Sequence, residues 1–564
     1  MHVIMRGTRE TARVVGGAVV LLAVLAVSGG CETALAHPVT VADGIDQALA
    51  VADGDRSGGE DRLQAVDLLR QVYSDRHGLP GWVAGGAPRP IARAMVEVVR
   101  SSSASGLTPR DYHIEALERL MALPYDTLPA ASRARGLARL ELLLSDAFVQ
   151  LANDQAQGRL QPATLLPSRP NPGLAADLRK ALQQVFAGAP PGAVIEAFTP
   201  HDPGYLGMRA ALARYLRLAA NGVPPLIAAG PALVKGDSGP RVEALVARLQ
   251  STGDIAATPV PDVFGLEVAE ALERYQARHG LHVDAIAGPA TLAVLNMPAA
   301  HWIDTLRVNM ERRRELPAEL PPTRLLVNIA NFRATFFTGG DPQSSEKVIV
   351  GTSYQKTPEI SSRIAYLVLN PNWDVPASIA SKEILPAARS NPEYFSRHDY
   401  EVLQGWGTDV KRVDPMSVDW KTVSAARLPY HFREPAGPDN PLGRVKFMFS
   451  NSHDVYMHDT PARALFDASQ RTFSHGCIRI DNAMRLAAAL LRADGQPDPG
   501  LLLIQAVDQG ANRHVELNHP IPIYIVYMTA WAQDLDTVEF RPDVYNRDAG
   551  LLAALDAAPG SFHE

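Results

Sequence analysis

The stretch RLLVNIANFRATFF, residues 324–337, decides how the chain must be divided. Its apolar residues come in short runs and alternations rich in Leu, Val, Ile and Phe, the pattern of strands rather than of helix. Similar runs follow at 347–351 and 365–369, separated by Gly, Asn and Pro, and return at 445–449, 455–458, 501–507 and 521–528. Strands spaced this way predict a mostly-β sandwich or barrel over 323–548. Between about 377 and 440 the rhythm breaks into helical stretches and turn residues, with Trp406, Trp420 and the segment FREPAGPDNPLG. This reads as an insertion over one end of the sheet, placed to act as a lid.

Upstream of residue 323 the period is helical. Leu63, Val66, Leu69 and Val72 share a face that ends at Gly78 and Pro80, and Leu137, Leu140, Leu144, Phe148 and Leu151 form a core stripe. Residues 61–222 therefore predict a helical scaffold domain. A Pro/Gly/Ala linker at 221–231 leads to a small three-helix unit at 233–297. There Gly236-Asp237-Ser238-Gly239 and Phe264-Gly265 each open a helix, and Gly280, Asp284 and Gly288 punctuate the stretch beyond the second of these helices. With 564 residues the chain exceeds the roughly 250–300 at which one core stops growing, so an α+β multidomain architecture is expected.

Composition narrows the function. The chain is 46% hydrophobic and 20% charged with a net charge of −7, which argues against nucleic acid as a partner. Arg6, Arg9 and Arg13 precede an uncharged apolar stretch, and Ala34-Leu35-Ala36 offers a cleavage site. Residues 1–36 thus read as a signal peptide, with lipid attachment at Cys31 and an uncleaved anchor as alternatives, and 37–60 as a flexible leader. Each reading exports the bulk of the chain. The only cysteines are Cys31 and Cys477, so the exported part has a single thiol. A lone cysteine in an oxidising compartment is either a buried small hydrophobe or a group kept for its chemistry.

Its neighbours decide between these. VYMHDTPARALFDASQRTFSHGCIRIDN, residues 455–482, carries His458 on an expected strand and, 19 positions on, Cys477 preceded by Ser474, His475 and Gly476. A thiol is mostly protonated at neutral pH and needs a base, and an imidazole suits the task. On a strand Tyr456 and His458 face one side while Val455 and Met457 enter the core. Asp459 then points away from the His458 ring, so a backbone carbonyl is the expected orienting group. Gly476 leaves room for a substrate carbonyl, and the N–H groups of Gly476 and Cys477 are expected to face a developing oxyanion. His475 and Arg479 read as supporting residues, and His453 as a lesser candidate for the base. His453, His458, His475 and Cys477 are competent metal ligands, but their spacing matches no metal motif and no metal is expected.

His458, Ser474-His475-Gly476-Cys477-Ile478-Arg479 and Asn482 together resemble the signature of the L,D-transpeptidases with a YkuD-type catalytic domain. YMHDTPARALF and GPDNPLGRVKFMFSN resemble the large periplasmic subgroup, and 233–297 resembles a peptidoglycan-binding module. The resemblance implies Cys477 as nucleophile, His458 as base, and Tyr456 and Asn482 at the substrate. It also implies a tetrapeptide stem as donor, release of D-Ala through a thioester, crosslinks between third-position diamino acids, and inhibition by carbapenems. Expected partners are peptidoglycan stem peptides and glycan, with wall-synthesis proteins beside them, for a periplasmic monomer needing no cofactor. Two other readings remain at this stage: an L,D-carboxypeptidase using the same thioester, and a non-catalytic wall-binding protein.

Overall fold

The computed structural model describes residues 40–52, 62–160, 173–222, 224–256, 262–405 and 409–557. The expected signal peptide and Trp406 lie outside the described residues. Within the stretch read as a flexible leader, Val41–Val51 is a helix. Thr40 and Asp43 cap each other's backbone N–H reciprocally, and Ile45 and Leu49 are buried in the helical core. This local signal, a Thr with an acid three residues on, outweighs the cost of about 1 kcal/mol for Gly44 in a helix interior.

The helical unit is built around the 28-residue helix Ala130–Gln157. Its Leu137, Leu140, Leu144, Phe148 and Leu151 are all buried, as the stripe requires. Glu141, fully buried on the same helix, accepts the backbone N–H groups of Gly81, Trp82 and Val83 and the Tyr73 hydroxyl, so the loop before the helix Pro90–Arg100 has its donors satisfied. The small unit has helices at Pro240–Ser251, Leu266–Arg278 and Pro289–Leu295 around Val242, Leu245, Phe264, Leu272 and Tyr275. Gln276 organises its second loop, accepting from the N–H groups of Asp284 and Ala285 and donating to Asp284 and to the Ile286 carbonyl.

The strand-rich region is built on one nine-stranded sheet. We number its strands β1 (Arg324–Asn328), β2 (Arg333–Thr338), β3 (Asp341–Gly351), β4 (Ile360–Leu369), β5 (Val445–Phe449), β6 (Met457–His458), β7 (Thr472–Ser474), β8 (Ile478–Ile480) and β9 (Arg513–Val526). Their spatial order is β7-β3-β8-β6-β5-β4-β9-β1-β2, and β2 pairs back onto β3, so eight strands close on themselves with β7 added beside β3. Leu325, Val327, Ile364, Leu367, Phe447, Met457, Ile478 and Ile523 fill the interior, with the helix Ala483–Ala493 packed into the same core. Residues 501–507, read above as a strand, belong instead to a helix, Pro499–Asp508, with Leu503 and Ala506 inward and Leu501 and Ile504 exposed. A short apolar run is ambiguous by periodicity alone, and the proline in the first turn settles it as helix.

The insertion has its own core of Ile384, Leu385, Phe395, Trp420 and Phe432, beneath a four-stranded sheet of Trp373–Asp374, Tyr430–Glu434, Glu401–Gln404 and Lys411–Val413. Its first strand begins at Trp373, four residues before the expected boundary at 377. A helix at Ala299–Arg314, in a stretch assigned to no unit, joins the small module to the sheet.

Candidate active site

Pairing register brings the chemistry together. β6 and β8 run parallel with Met457 opposite Ile478 and His458 opposite Arg479, and the ladder continues through the Ile478 N–H to the Tyr456 carbonyl at 3.0 Å. Tyr456 therefore stands opposite Cys477. Paired residues project to the same face, so Tyr456, His458, Cys477 and Arg479 share one side of the sheet while Val455 and Met457 enter the core. On the other flank β5 pairs antiparallel with β6 and sets Lys446 opposite His458.

Cys477 is the free thiol among the described residues and is partly exposed. Tyr456 supplies both its backbone N–H and its hydroxyl to the sulfur, and the Trp373 indole, from the insertion, donates to the Tyr456 hydroxyl. The Lys446 ammonium lies 3.7 Å from the centre of the Tyr456 ring. Burial pushes the Cys477 thiol above its ordinary range, against the opposing pull of the Tyr456 hydrogen bonds and the charges of Lys446 and Arg479. His458 is 4% exposed, and burial, with those same two cations, brings its pKa down to about 3. Thiol and imidazole are thus both neutral at rest. The Nδ1 of His458 meets the Asp459 carbonyl at 2.5 Å, which fixes the ring by the backbone, as strand alternation required. The Asp459 carboxylate turns away, accepting from the Arg444 N–H at 2.9 Å and pairing with Arg463.

The turn before Cys477 is held from within. Ser474 Oγ donates to the Cys477 carbonyl at 2.5 Å and accepts the Gly476 N–H at 3.1 Å. The Gly476 N–H, expected to face an oxyanion, is therefore engaged within the turn. Gly476 has φ +118°, a conformation that side chains rarely adopt, so a glycine is required for the turn itself. Its carbonyl accepts from Thr357 Oγ1 at 2.8 Å, and Thr357 is wholly buried. His475 does not join the row of His458. It is exposed and meets Glu383 of the insertion at 3.1 Å.

Asn482, expected at the substrate, lies past the end of β8. The extended β8 carries Ile480 about 10 Å from Cys477, and Asn482 lies beyond it, exposed, with φ 48° at the start of the helix Ala483–Ala493. His453 sits in an exposed turn before β6, its N–H donating to the Asn451 side chain. Lys446, Thr357 and Trp373 were missed by sequence reasoning. Each comes from a segment remote in the chain, and only the pairing register and the docked insertion bring it to the sulfur.

Comparison with known proteins divides the chain into three matched segments. Residues 67–212 match the family described as a scaffold domain, 238–295 the family described as "Putative peptidoglycan binding domain", and 322–499 the YkuD family, described as the L,D-transpeptidase catalytic domain. A protein of Haemophilus influenzae named "Putative L,D-transpeptidase" is 32% identical over 249 residues, 44% of this chain and 49% of that protein, so the chain spans about half the length of this curated relative. Among solved structures, an L,D-transpeptidase from Xylanimonas cellulosilytica is 13% identical, covering 53% of this chain and 98% of that one at a TM-score of 0.16. A structure titled as the Ldtfm-avibactam carbamoyl enzyme is 10% identical, covering 37% and 51% at a TM-score of 0.18. Scores this low carry no structural inference. The strands and the thiol-bearing turn described above thus fall largely within a YkuD-type L,D-transpeptidase catalytic domain, and the chain joins that domain to a scaffold domain and a peptidoglycan-binding domain.

Proposed function

We propose that the chain is an exported wall enzyme that crosslinks peptidoglycan stems through a thioester on Cys477. The supporting observation is the shared face of Tyr456, His458 and Cys477, with a neutral imidazole whose Nδ1 is already committed to a carbonyl. In the first half-reaction His458 takes the thiol proton as the sulfur attacks the carbonyl of the third residue of a donor tetrapeptide. The C–N bond to D-Ala breaks, the departing amine takes the proton from His458, and the acyl group remains on sulfur. The Cys477 N–H is the donor for the developing oxyanion, joined by the Tyr456 hydroxyl once the sulfur bonds to carbon and ceases to accept from it. In the second half-reaction the side-chain amine of another stem attacks the thioester, and the thiol regains a proton as it leaves. Two neutral partners suit this cycle, because the imidazole must both accept and return a proton. Export is consistent with a substrate outside the cytoplasm. Among the described residues no helix is long and apolar enough to cross a membrane.

Incubation of the full chain with purified disaccharide-tetrapeptide, read by mass spectrometry, tests this. Crosslinked dimers and free D-Ala are expected, and Cys477→Ala is expected to abolish both with an unchanged circular dichroism spectrum. Turnover that survives Cys477→Ala sinks the assignment, and trimmed tripeptides without dimers convert it to a carboxypeptidase.

A further inference from the structure

The face that carries the thiol also holds two cations in excess of what its own chemistry needs. Lys446, His458 and Arg479 lie side by side on β5, β6 and β8, one register step from the pair Tyr456 and Cys477. Arg479 is half-buried, yet among the described residues its guanidinium makes no ion pair or hydrogen bond. Other buried arginines are matched: Arg278 with Asp254, Arg312 with Asp548, Arg313 with Asp202. The Lys446 ammonium rests on the Tyr456 ring, and the carboxylate whose field it feels, Asp374, is held by Arg433 at 2.7 Å. With His458 neutral between them, the recess carries two positive charges and no fixed counter-charge on the same row. Burial pulls both cations below their ordinary pKa, as expected of charges lacking a partner.

We propose that Arg479 and Lys446 form a seat for the terminal carboxylate of the donor stem, the carboxylate of the D-Ala that leaves. The proposal rests on the transpeptidase reading given above. That carboxylate carbon is three bonds from the carbonyl carbon that Cys477 attacks. Cys477 and Arg479, two residues apart on one face of a strand, are separated by about 7 Å, so a substrate attacked at the sulfur brings its terminus to the guanidinium. A guanidinium takes a carboxylate bidentately and an ammonium adds a point charge, which fixes the scissile amide against the thiol. The seat also selects the donor's length. A stem extended past its fourth residue would set a neutral amide there and leave both cations unpaired when the site closes.

The test compares two donors on the full chain: the disaccharide-tetrapeptide ending in free D-Ala, and the same compound ending in D-alaninamide. Each is assayed with the unaltered protein, Arg479→Gln, Lys446→Met and Arg479→Lys. The unaltered chain is expected to favour the acid by roughly 10- to 100-fold in kcat/KM. Arg479→Gln and Lys446→Met each lower this ratio toward one, and Arg479→Lys restores part of it. Because both donors meet the same thiol, any effect of Arg479 on sulfur reactivity cancels in the ratio, and so does partial misfolding. Equal use of acid and amide by the unaltered chain, or an unchanged ratio in the variants, overturns the seat. An unaltered chain inert toward both donors overturns the transpeptidase reading and the seat with it.

Discussion

At Cys477 the resting state is a neutral pair and not a thiolate–imidazolium pair, and that difference is measurable. Burial raises the thiol and lowers His458 to about 3, so between these limits neither group is charged. A simple alkylating agent reacts only with thiolate, whose fraction below the thiol pKa grows tenfold per pH unit. The alkylation rate of Cys477 is therefore expected to climb tenfold per unit from pH 6 to 8 without levelling. A plateau beginning near pH 4 or 5, the signature of a preformed ion pair, would contradict the neutral resting site. At this scale the sequence was informative where chemistry is local. Strand alternation placed Tyr456 and His458 on one face and turned the Asp459 carboxylate away. It was silent where position depends on register, which is why Lys446 and Thr357 were missed.

Elements set the accuracy of the turn that presents the sulfur. Ser474 Oγ bridges the Gly476 N–H and the Cys477 carbonyl, Thr357 holds the Gly476 carbonyl, and Gly476 sits at φ +118°. An alanine there costs about 1–3 kcal/mol of backbone strain. A Cβ would find ordinary contacts at 3.8 and 3.9 Å from the Lys356 and Gln355 carbonyls, so strain rather than crowding is the cause. Gly476→Ala is expected to lower the unfolding midpoint of the sheet domain by roughly 3–10 °C and, on the proposed function, to slow acylation of Cys477 by the tetrapeptide donor, read as D-Ala release, by at least about tenfold. A calorimetric trace and an acylation rate both matching the unaltered chain would sink this account of the glycine. The strands of this region were legible because half-buried sheet leaves a period of two. The helix Pro499–Asp508 was not, since its run of Leu and Ile carries no period that separates the two states, and the helix Val41–Val51 was hidden beside a Gly- and Asp-rich tract.

For the whole molecule the least legible part is the one that holds it together. Glu311-Arg312-Arg313-Arg314 is a run of four charged residues, yet they are at most 4% exposed on the helix Ala299–Arg314. The helix faces both ways. Toward the helical unit, Glu311 accepts the Leu160 N–H at 2.7 Å and Arg314 donates to the Tyr205 hydroxyl at 2.7 Å. Toward the sheet, Asn309 accepts the Thr529 N–H at 2.9 Å and donates to its Oγ1 at 2.7 Å, and Arg312 pairs with Asp548. Around them Tyr205, Met208, Leu212 and Tyr215 pack with Trp302, Leu306, Met310, Tyr524, Val526 and Phe540 in one apolar cluster. Charges buried here are tolerable only because each has a partner across a boundary, so the pairing appears once tertiary structure is known and leaves no mark in a local window. An interface this apolar couples the units it joins. Asn309→Ala would strand the buried Thr529 N–H at about 1–3 kcal/mol, a loss borne by the contact between helix and sheet rather than by either core. Scanning calorimetry of the full chain should then show the sheet domain's transition moving to lower temperature and separating from that of the helical unit. If the variant melts in the same transition and at the same temperature as the unaltered chain, the helix is a tether and not a strut.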